Sequence, residues 1–392
     1  MASSSGGHMK RKPHYSCMEQ PSLVKKLRGI LSEYPDGGQI LKEMIQNADD
    51  AGATELKIML ESRRINRDLK EDSPLFTKFF QAPALCIYND AEFTDDDWRG
   101  IRMIDCSVKE EDCLKVGRFG LGFKSVFHIT DYPCVISGNT VLLMDPQRPK
   151  DEVNATLKIN EIHEIEGIDT SDILRAVGGK YGFDETVIKN GYFRGTMFWF
   201  PLRENASSIS ENLYNISKVE QLFGSLHAES SSILIFLKSL MCLHLLKMTP
   251  SGYEDHVLIV QIQDEEEIRL KRKSFFSCFK SASLKNDVAC VFKMTIKETT
   301  HESTQFTQWL VITYYIVNNA SNDFRRLIQS PKLGLSPCVG VAAKMQPLSA
   351  VEGHIFCFLP SSKGRNKTYR LTFSCQWFLR SKPEQTPFEV GN

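Results

Sequence analysis

The stretch "VGRFGLGFKS", Val116–Ser125, places three glycines within six residues and leads directly into a pattern typical of a helix. Glycine lets the backbone approach an anion closely, and the free N–H groups at the start of a helix attract negative charge. Lys124 and Ser125 add side-chain donors at the same place. The stretch therefore predicts a phosphate-binding loop, with a tight structural turn as the alternative.

Two familiar phosphate-binding loops do not fit this spacing. A Walker A loop requires lysine directly after the second glycine of its pattern, whereas Phe123 follows Gly122. A dinucleotide-binding fingerprint requires the order GxGxxG, whereas this chain has GxxGxG and no ribose-binding βα unit after it. The loop therefore indicates a phosphate site of another class.

An upstream helix carries polar residues beside its apolar face. In "EMIQNADDA", Glu43, Asn47 and Asp50 share one stripe at about 100° per residue, whereas Asp49 is expected to point to solvent. The amide oxygen of Asn47 is a suitable Mg²⁺ ligand, and the carboxylate of Glu43 can orient a water molecule. The stripe is compatible with the acidic solvent edge of an ordinary amphipathic helix or with a metal and phosphate edge, and the choice between them depends on whether the chain also holds phosphate nearby.

Hydrophobic periodicity on both sides of these segments predicts a mixture of helices and strands. Apolar spacing predicts helices over Ser22–Leu31 and from about residue 39 to 51, and Thr94 is placed to cap a third helix. Strands are predicted at "ELKIMLE", "ALCIYND" and "GTMFWFPLR", which begin at residues 55, 84 and 195.

The pattern changes to strands beyond about residue 250, so we predict a domain boundary near residue 248. Residues 10–248 would form the first domain, and residues 249–392 a smaller strand-rich α/β domain. The stretch "RLKRKSFFSCFK", Arg269–Lys280, mixes basic and aromatic residues as nucleic-acid-binding segments do. Its strand-like flanks favour a solvated basic turn beside a strand instead.

Composition limits the classes of partner. Lys+Arg and Asp+Glu both number 48, so no overall field draws the chain to nucleic acid or to an anionic membrane. The 11 cysteines include no CxxC pair, which argues against a zinc site and a disulfide framework. Without a visible signal peptide or a long apolar run, we expect a cytoplasmic protein. The first nine residues, "MASSSGGHM", are typical of an expression leader and carry no information about the fold.

Three segments, in this order, resemble the GHKL ATPases, the superfamily of gyrase, the ninety-kilodalton heat-shock chaperone and the sensor histidine kinases. They are ExxxNxxDA from Glu43 to Ala51, "GRFGLGFKS" from Gly117 to Ser125, and "RGT" from Arg194 to Thr196. The wording "YPDGGQILKEMIQNADDAGATELKI" is most similar to the chaperone-like repeat of the sacsin-like proteins. The resemblance is dense over roughly residues 22 to 200 and thin beyond about residue 250.

The resemblance implies a Bergerat-type α+β sandwich, in which helices cover one face of a mixed, largely antiparallel sheet. It implies an ATP-binding, chaperone-like domain that uses ATP/ADP and Mg²⁺, with a lid over about residues 93–116. Client or co-chaperone proteins and other domains of the parent chain would be its partners, and nucleic acid and membranes would not.

The resemblance also implies a role for each matching residue. Glu43 would be the general base for the hydrolytic water, Asn47 would ligate Mg²⁺, and Asp50 would line the pocket. Thr196 would lie beside the adenine. The phosphates would be held by the glycine loop, which comprises Gly117, Arg118, Phe119, Gly120, Leu121, Gly122, Phe123 and Lys124.

One segment departs from the superfamily pattern. Where its members have DxGxG, this chain reads "NDAEF", Asn89–Phe93, so that Asn89 or Asp90 would supply the adenine contact and neither glycine is present. Side chains then occupy space where the superfamily lets the backbone approach the base. Two hypotheses follow: a slow ATPase that alters a protein-binding surface, or a scaffold that keeps the fold without hydrolysis.

Overall fold

The computed structural model describes residues 21–33, 36–66, 74–103, 122–277, 286–316, 322, 326, 338–347, 355–357, 359–360 and 373–377. The α-helices in this part of the chain are α1 (Leu23–Glu33), α2 (Gln39–Asp50), α3 (Asp95–Arg102), α4 (Thr170–Val177), α5 (Glu185–Asn190), α6 (Ile216–His227), α7 (Ser230–Ile233) and α8 (Glu265–Ser277). No helix within these ranges has the length and apolar character needed to cross a lipid bilayer.

The strands belong to one large sheet. They are β1 (Glu55–Ile65), β2 (Ala82–Asn89), β3 (Cys134–Gly138), β4 (Thr140–Met144), β5 (Asn154–Lys158), β6 (Phe193–Pro201), β7 (Cys242–Met248), β8 (Glu254–Ile262), β9 (Val288–Thr299), β10 (Thr304–Tyr315), β11 (Cys338–Gln346), β12 (Ile355–Cys357), β13 (Leu359–Pro360) and β14 (Phe373–Trp377). Among the described residues they form 14 strands in the order β13-β12-β14-β11-β10-β9-β8-β7-β1-β2-β6-β3-β4-β5. β1 pairs in parallel with β7, and β12 with β14, whereas the other neighbours are antiparallel. The predicted mixed, largely antiparallel α/β fold is confirmed.

The expectation that helices cover only one face of the sheet is wrong. α1, α2 and α6 pack into a first core with Leu85 and Ile87 of β2, whereas α4 and α5 pack into a second core with Ala84 and Cys86 of the same strand. Successive strand residues point to opposite faces, so a strand that is apolar throughout needs cover on both sides. The continuous apolar run "ALCIY" is such a strand.

The sheet continues through the predicted domain boundary. β7 and β8 lie on opposite sides of residue 248 and pair with Leu243 opposite Val260. The first core also extends past this position, because it includes Leu258 and Trp309. The boundary itself stays a prediction.

Two local predictions have different outcomes. Thr94 caps α3 as predicted: its hydroxyl accepts from the N–H of Asp97 at 3.3 Å, and the Asp97 carboxylate accepts from the Thr94 N–H at 3.0 Å. The predicted basic turn at 269–280 is wrong as far as residue 277, because this stretch lies in α8. Three glutamates in the first turn and a Glu267–Lys271 ion pair favour this helix.

Candidate functional site

α2 brings Glu43 to the end of the glycine loop. Gly122 begins a 3₁₀-helix, Gly122–His128, where the pattern predicted a helix. A Cβ built on Gly122 would lie 2.1 Å from Oε2 of Glu43 and 2.9 Å from its Cδ. The carboxylate therefore lies against the bare Cα of Gly122, an approach that only glycine permits without displacing the side chain.

The surroundings of Glu43 favour the protonated form of its side chain. Burial raises the pKa of its carboxyl group, and the nearby Asp50 raises it further. Gln39 opposes this shift, because its Nε2 donates to Oε1 of Glu43 at 3.0 Å. A carboxylate whose pKa moves toward neutrality accepts a proton from water more readily than an ordinary glutamate does.

The last turn of α2 is anchored to the connection that precedes β7. The carboxylate of Asp50 pairs with the ammonium of Lys238, and the Asp50 side chain has no exposed surface. The expectation that Asp49 points to solvent is wrong, because this residue is 3% exposed. Its carboxylate accepts the backbone N–H groups of Lys238, Ser239 and Leu240 at 3.0, 2.7 and 3.0 Å.

The opposite end of the candidate site lies where β2 meets β6. Asn89 is opposite Thr196 in this ladder, and both residues are buried. The Thr196 hydroxyl donates to the carbonyl of Ala91 at 2.8 Å, and Oδ1 of Asn89 accepts the Ala91 N–H at 3.1 Å. Two of the residues expected near adenine therefore hold the same turn.

Sequence reasoning missed Ser137, which completes this end of the site. Its hydroxyl accepts the N–H of Phe93 at 2.9 Å and lies 2.8 Å from the Thr196 hydroxyl. Ser137 comes from β3, which follows the glycine loop. A serine near the end of a short strand has no pattern that sets it apart, so only the β3–β6 pairing reveals its position.

Asp90 faces away from this turn. Its carboxylate accepts the N–H groups of Thr54 and Glu55 at 2.8 and 3.1 Å and the Thr54 hydroxyl at 2.5 Å. These bonds join the "NDAEF" segment to the start of β1. Asn89, in contrast, lies opposite Thr196, and the adenine contact of either residue stays a prediction.

Aromatic rings connect the two ends of the site. The ring of Phe93 packs against Trp98 and Phe198, with centroids 4.8 and 5.9 Å apart. Phe123, next to Gly122, packs against the same Phe198 at 5.9 Å. Phe93 thus belongs to an apolar cluster rather than projecting alone into the candidate site.

The ammonium of Lys124 lies on a carbonyl in the structure. It is 1% exposed and donates to the backbone oxygen of Ile101 in α3. Burial lowers its pKa to about 7. Its predicted contact with phosphate stays a prediction. The other loop residues predicted to hold phosphate, Gly117, Arg118, Phe119, Gly120 and Leu121, lie outside the described residues.

The buried ammonium predicts a pH dependence of stability. The folded-state pKa of Lys124 is about 7, below its ordinary value of 10.5. Between these values the unfolded chain binds a proton that the folded chain does not, so this lysine makes the free energy of unfolding rise with pH by up to about 1.4 kcal/mol per unit. Lys124→Met should remove that rise in denaturation measurements made between about pH 7 and pH 9. The exposed Lys150→Met should keep the wild-type slope, and an unchanged slope in Lys124→Met would contradict the assignment.

Comparisons with known proteins agree with part of this picture. A family model described as "Sacsin domain" matches residues 20–261. Sacsin of Homo sapiens is 35% identical over an alignment of 386 positions, and the match covers 92% of this chain and 8% of the human protein. A crystal structure of the N-terminal domain of a DNA repair protein covers 91% of this chain and 86% of its own at 10% identity, with a TM-score of 0.37 that is too low to support any argument.

The chain thus spans less than a tenth of the human relative. The family match covers well over half of the sequence and contains α2, β2 and β6. The resemblance to the sacsin-like proteins is confirmed at this level. The chain belongs to the sacsin domain family.

Proposed function

We propose that this chain is an ATP-binding, chaperone-like domain of Bergerat type, in which nucleotide occupies the site between α2, the glycine loop and the turn held by Thr196. The observation that carries the proposal is the contact between the carboxylate of Glu43 and the bare Cα of Gly122. It brings a side chain with a raised pKa to the end of the loop whose sequence predicts phosphate binding.

The residues present suit a nucleotide with Mg²⁺. The amide oxygen of Asn47 would ligate the ion, which supplies positive charge to the phosphates when bound. Backbone N–H groups of residues 117–124 would hold the phosphates. The predicted place of Asp50 on the pocket wall is not met, because its side chain is fully buried against Lys238. Asn89 and Thr196 would lie at the adenine.

Glu43 would then act as the general base in a slow hydrolysis of ATP. Its carboxylate would orient a water molecule and accept a proton from it. Gln39 holds the carboxylate by its other oxygen, because its Nε2 donates to Oε1 at 3.0 Å, whereas Gly122 lies at Oε2. Both side chains lie on α2, so the catalytic geometry depends on how firmly this helix is held.

A non-hydrolysing scaffold is the second candidate. Polar groups expected at the nucleotide are instead bonded within the chain. Asp90 binds Thr54, Lys124 binds Ile101, and Asp50 pairs with Lys238. A site whose charged groups already have partners gains less from an anionic ligand.

We place the protein in the cytoplasm and propose client or co-chaperone proteins as its partners, together with other domains of a longer parent chain. Nucleotide would alter the surface that these proteins contact. The zero net charge supports neither nucleic acid nor membrane as a partner.

Calorimetric titration with Mg²⁺–ATP and Mg²⁺–ADP tests the proposal. Wild-type protein should bind saturably, and Asn47→Ala should lose the Mg²⁺-dependent part of the affinity. The exposed Asn190→Ala, at the end of α5 on the other face of the sheet, is the matched control and should bind as wild type does. No heat and no thermal shift at millimolar nucleotide would favour the scaffold.

Gly122→Ala tests the contact between the loop and Glu43. The added methyl group would meet the flexible end of Glu43, so the side chain should turn away while the fold survives. Displacing a reactive group by about 1 Å can lower turnover about 10²-fold. We expect such a loss in phosphate-release assays, with little change in the melting temperature.

Gly224→Ala in α6 is the matched control for this substitution, because its Cβ would meet nothing within 4 Å. It should keep wild-type turnover and gain stability of about 0.5–1 kcal/mol, since alanine suits a helix better than glycine. Unimpaired turnover in Gly122→Ala would contradict the proposed role of the contact.

A further inference from the structure

Residues 234–240, which belong to the connection between α7 and β7, are held from one side by a buried carboxylate. Asp49, in the last turn of α2, accepts the backbone N–H groups of Lys238, Ser239 and Leu240. Hydrogen bonds to an ionised acceptor are stronger than those between neutral groups. Three consecutive N–H groups of the connection are therefore fixed to the C-terminal end of α2.

The same connection is held from its other side by a buried cation. The guanidinium of Arg272, in α8, donates to the carbonyl groups of Leu234, Ile235 and Leu240 at 2.5, 3.3 and 3.1 Å. Arg272 is 3% exposed. Burial lowers its pKa to about 10, and the charge of Asp49 opposes that fall, so the group stays charged at neutral pH.

The connection thus lies between two charges of opposite sign, each bound to the end of the peptide dipole that it attracts. Leu240 shows the arrangement in one residue, because its N–H donates to Asp49 and its carbonyl accepts from Arg272. A shift in the position of one charged side chain would therefore change the position of the other, because both are hydrogen-bonded to the same short peptide segment.

We call Asp49, residues 234–240 and Arg272 together the clamp. Because α8 follows β7 in the chain, the clamp joins residues on both sides of the predicted domain boundary. Arg272 also lies 3.6 Å from the sulfur of Met294 in β9, and Ile268 of the same helix joins the first core. α2, at the other end of the clamp, carries both Glu43 and Asn47. If α8 moved relative to residues 234–240, the hydrogen bonds of Arg272 and Asp49 would shift the C-terminal end of α2. This effect would not depend on the glycine loop.

We infer that Asp49 and Arg272 are positioning residues that fix the C-terminal end of α2 against residues 234–240. Through this contact they couple the candidate nucleotide site to α8 and to the strands that follow it. The coupling to nucleotide rests on the proposed function. The positioning of α2 does not, because it follows from hydrogen bonds within the chain.

Hydrogen exchange without nucleotide tests the positioning directly. Arg272→Met removes the donors, and Asp49→Asn replaces an acceptor oxygen by an NH₂ group that faces an N–H. Both variants should speed amide exchange in the last turn of α2 and in residues 238–240, and Arg272→Lys should restore part of the protection. Arg269→Met makes the same substitution at an exposed arginine of α8, so it is the control and should leave α2 protected.

Mg²⁺–ATP titration of the same variants tests the coupling. Arg272→Met and Asp49→Asn should each weaken binding by about fivefold or more, the range of ordinary coupling between sites. Because both act on one segment, the double variant should lose much less than the two single losses combined. Arg269→Met should bind as wild type does.

The outcomes separate this inference from the proposed function. Wild-type α2 exchange in both Arg272→Met and Asp49→Asn would overturn the positioning role. Altered exchange with unchanged affinity, in a wild-type protein that binds nucleotide, would overturn the coupling. A wild-type protein that binds no nucleotide would overturn the proposed function, while the exchange experiment would still decide the positioning.

Discussion

Glutamine in place of Glu43 should lower the rate of ATP hydrolysis by about 10²–10⁴-fold, whereas Mg²⁺–ATP should still bind. The amide of glutamine keeps the size of the carboxylate and therefore its contact with Gly122, but it cannot accept a proton from water. Steady-state phosphate release gives the rate, and calorimetry on the same preparation gives the affinity. The raised pKa of Glu43 further predicts that wild-type hydrolysis increases as pH rises through that pKa, because only the ionised form is a base.

Glu161→Gln is the matched control. Glu161 is exposed in a 3₁₀ segment, Ile159–Glu164, whose buried residues belong to the second core. The Glu161→Gln variant should hydrolyse ATP at the wild-type rate. Equal rates for Glu43→Gln and the wild type would remove Glu43 from the chemistry and leave binding without hydrolysis as the function to be tested.

Arg203→Met should lower the free energy of unfolding by about 3–5 kcal/mol, the usual cost of removing one partner from a buried ion pair. Arg203 is 4% exposed and donates to the carboxylate of Asp131 at 2.6 Å. It also donates to the carbonyls of Phe127 and His128 at 2.6 and 3.0 Å, at the end of the 3₁₀-helix that Gly122 begins. Methionine fills similar space but donates no hydrogen bond, so the Asp131 carboxylate would lose its cationic partner and keep, among the described residues, only the Ser207 hydroxyl, which donates to it at 2.9 Å. Denaturant titration measures the loss.

The exposed pair Arg99–Asp96 supplies the comparison, because its two side chains are 65% and 62% exposed. Arg99→Met should change stability by no more than about 1 kcal/mol, since solvent screens surface ion pairs. If both variants changed the free energy of unfolding by similarly small amounts, the charge of Asp131 would have to be compensated without Arg203, and the expected cost would be wrong.

Local sequence patterns predicted the elements that carry the candidate site. Apolar spacing placed α2 within a residue or so of its observed bounds, Gln39–Asp50, and the runs beginning at residues 55, 84 and 195 correspond to β1, β2 and β6. Glycine spacing singled out Gly122, next to Phe123, as a position where the backbone is approached closely. These features depend on neighbours a few residues away, which is the range over which periodicity carries information.

Contacts between distant segments were beyond these patterns. A helical wheel assigned Asp49 to solvent because it cannot show that residues 238–240 turn three N–H groups toward that side of α2. The same limit concealed Ser137 beside Thr196, and the second layer of helices over β2. In each case the deciding partner lies many residues away in the chain, so only tertiary pairing reveals it.

The parallel pairing of β1 with β7 also sets an order of events during synthesis. β1 meets β2 early, but its other edge is paired with Cys242–Met248, which leaves the ribosome only after nearly two thirds of the chain. Until then the backbone groups of this edge stay open to other strands, and exposed edges promote aggregation. Contacts between segments so far apart also form slowly. We therefore expect this nascent chain to need protection from aggregation until β7 has been made, so a domain with a proposed chaperone role would need assistance in its own folding.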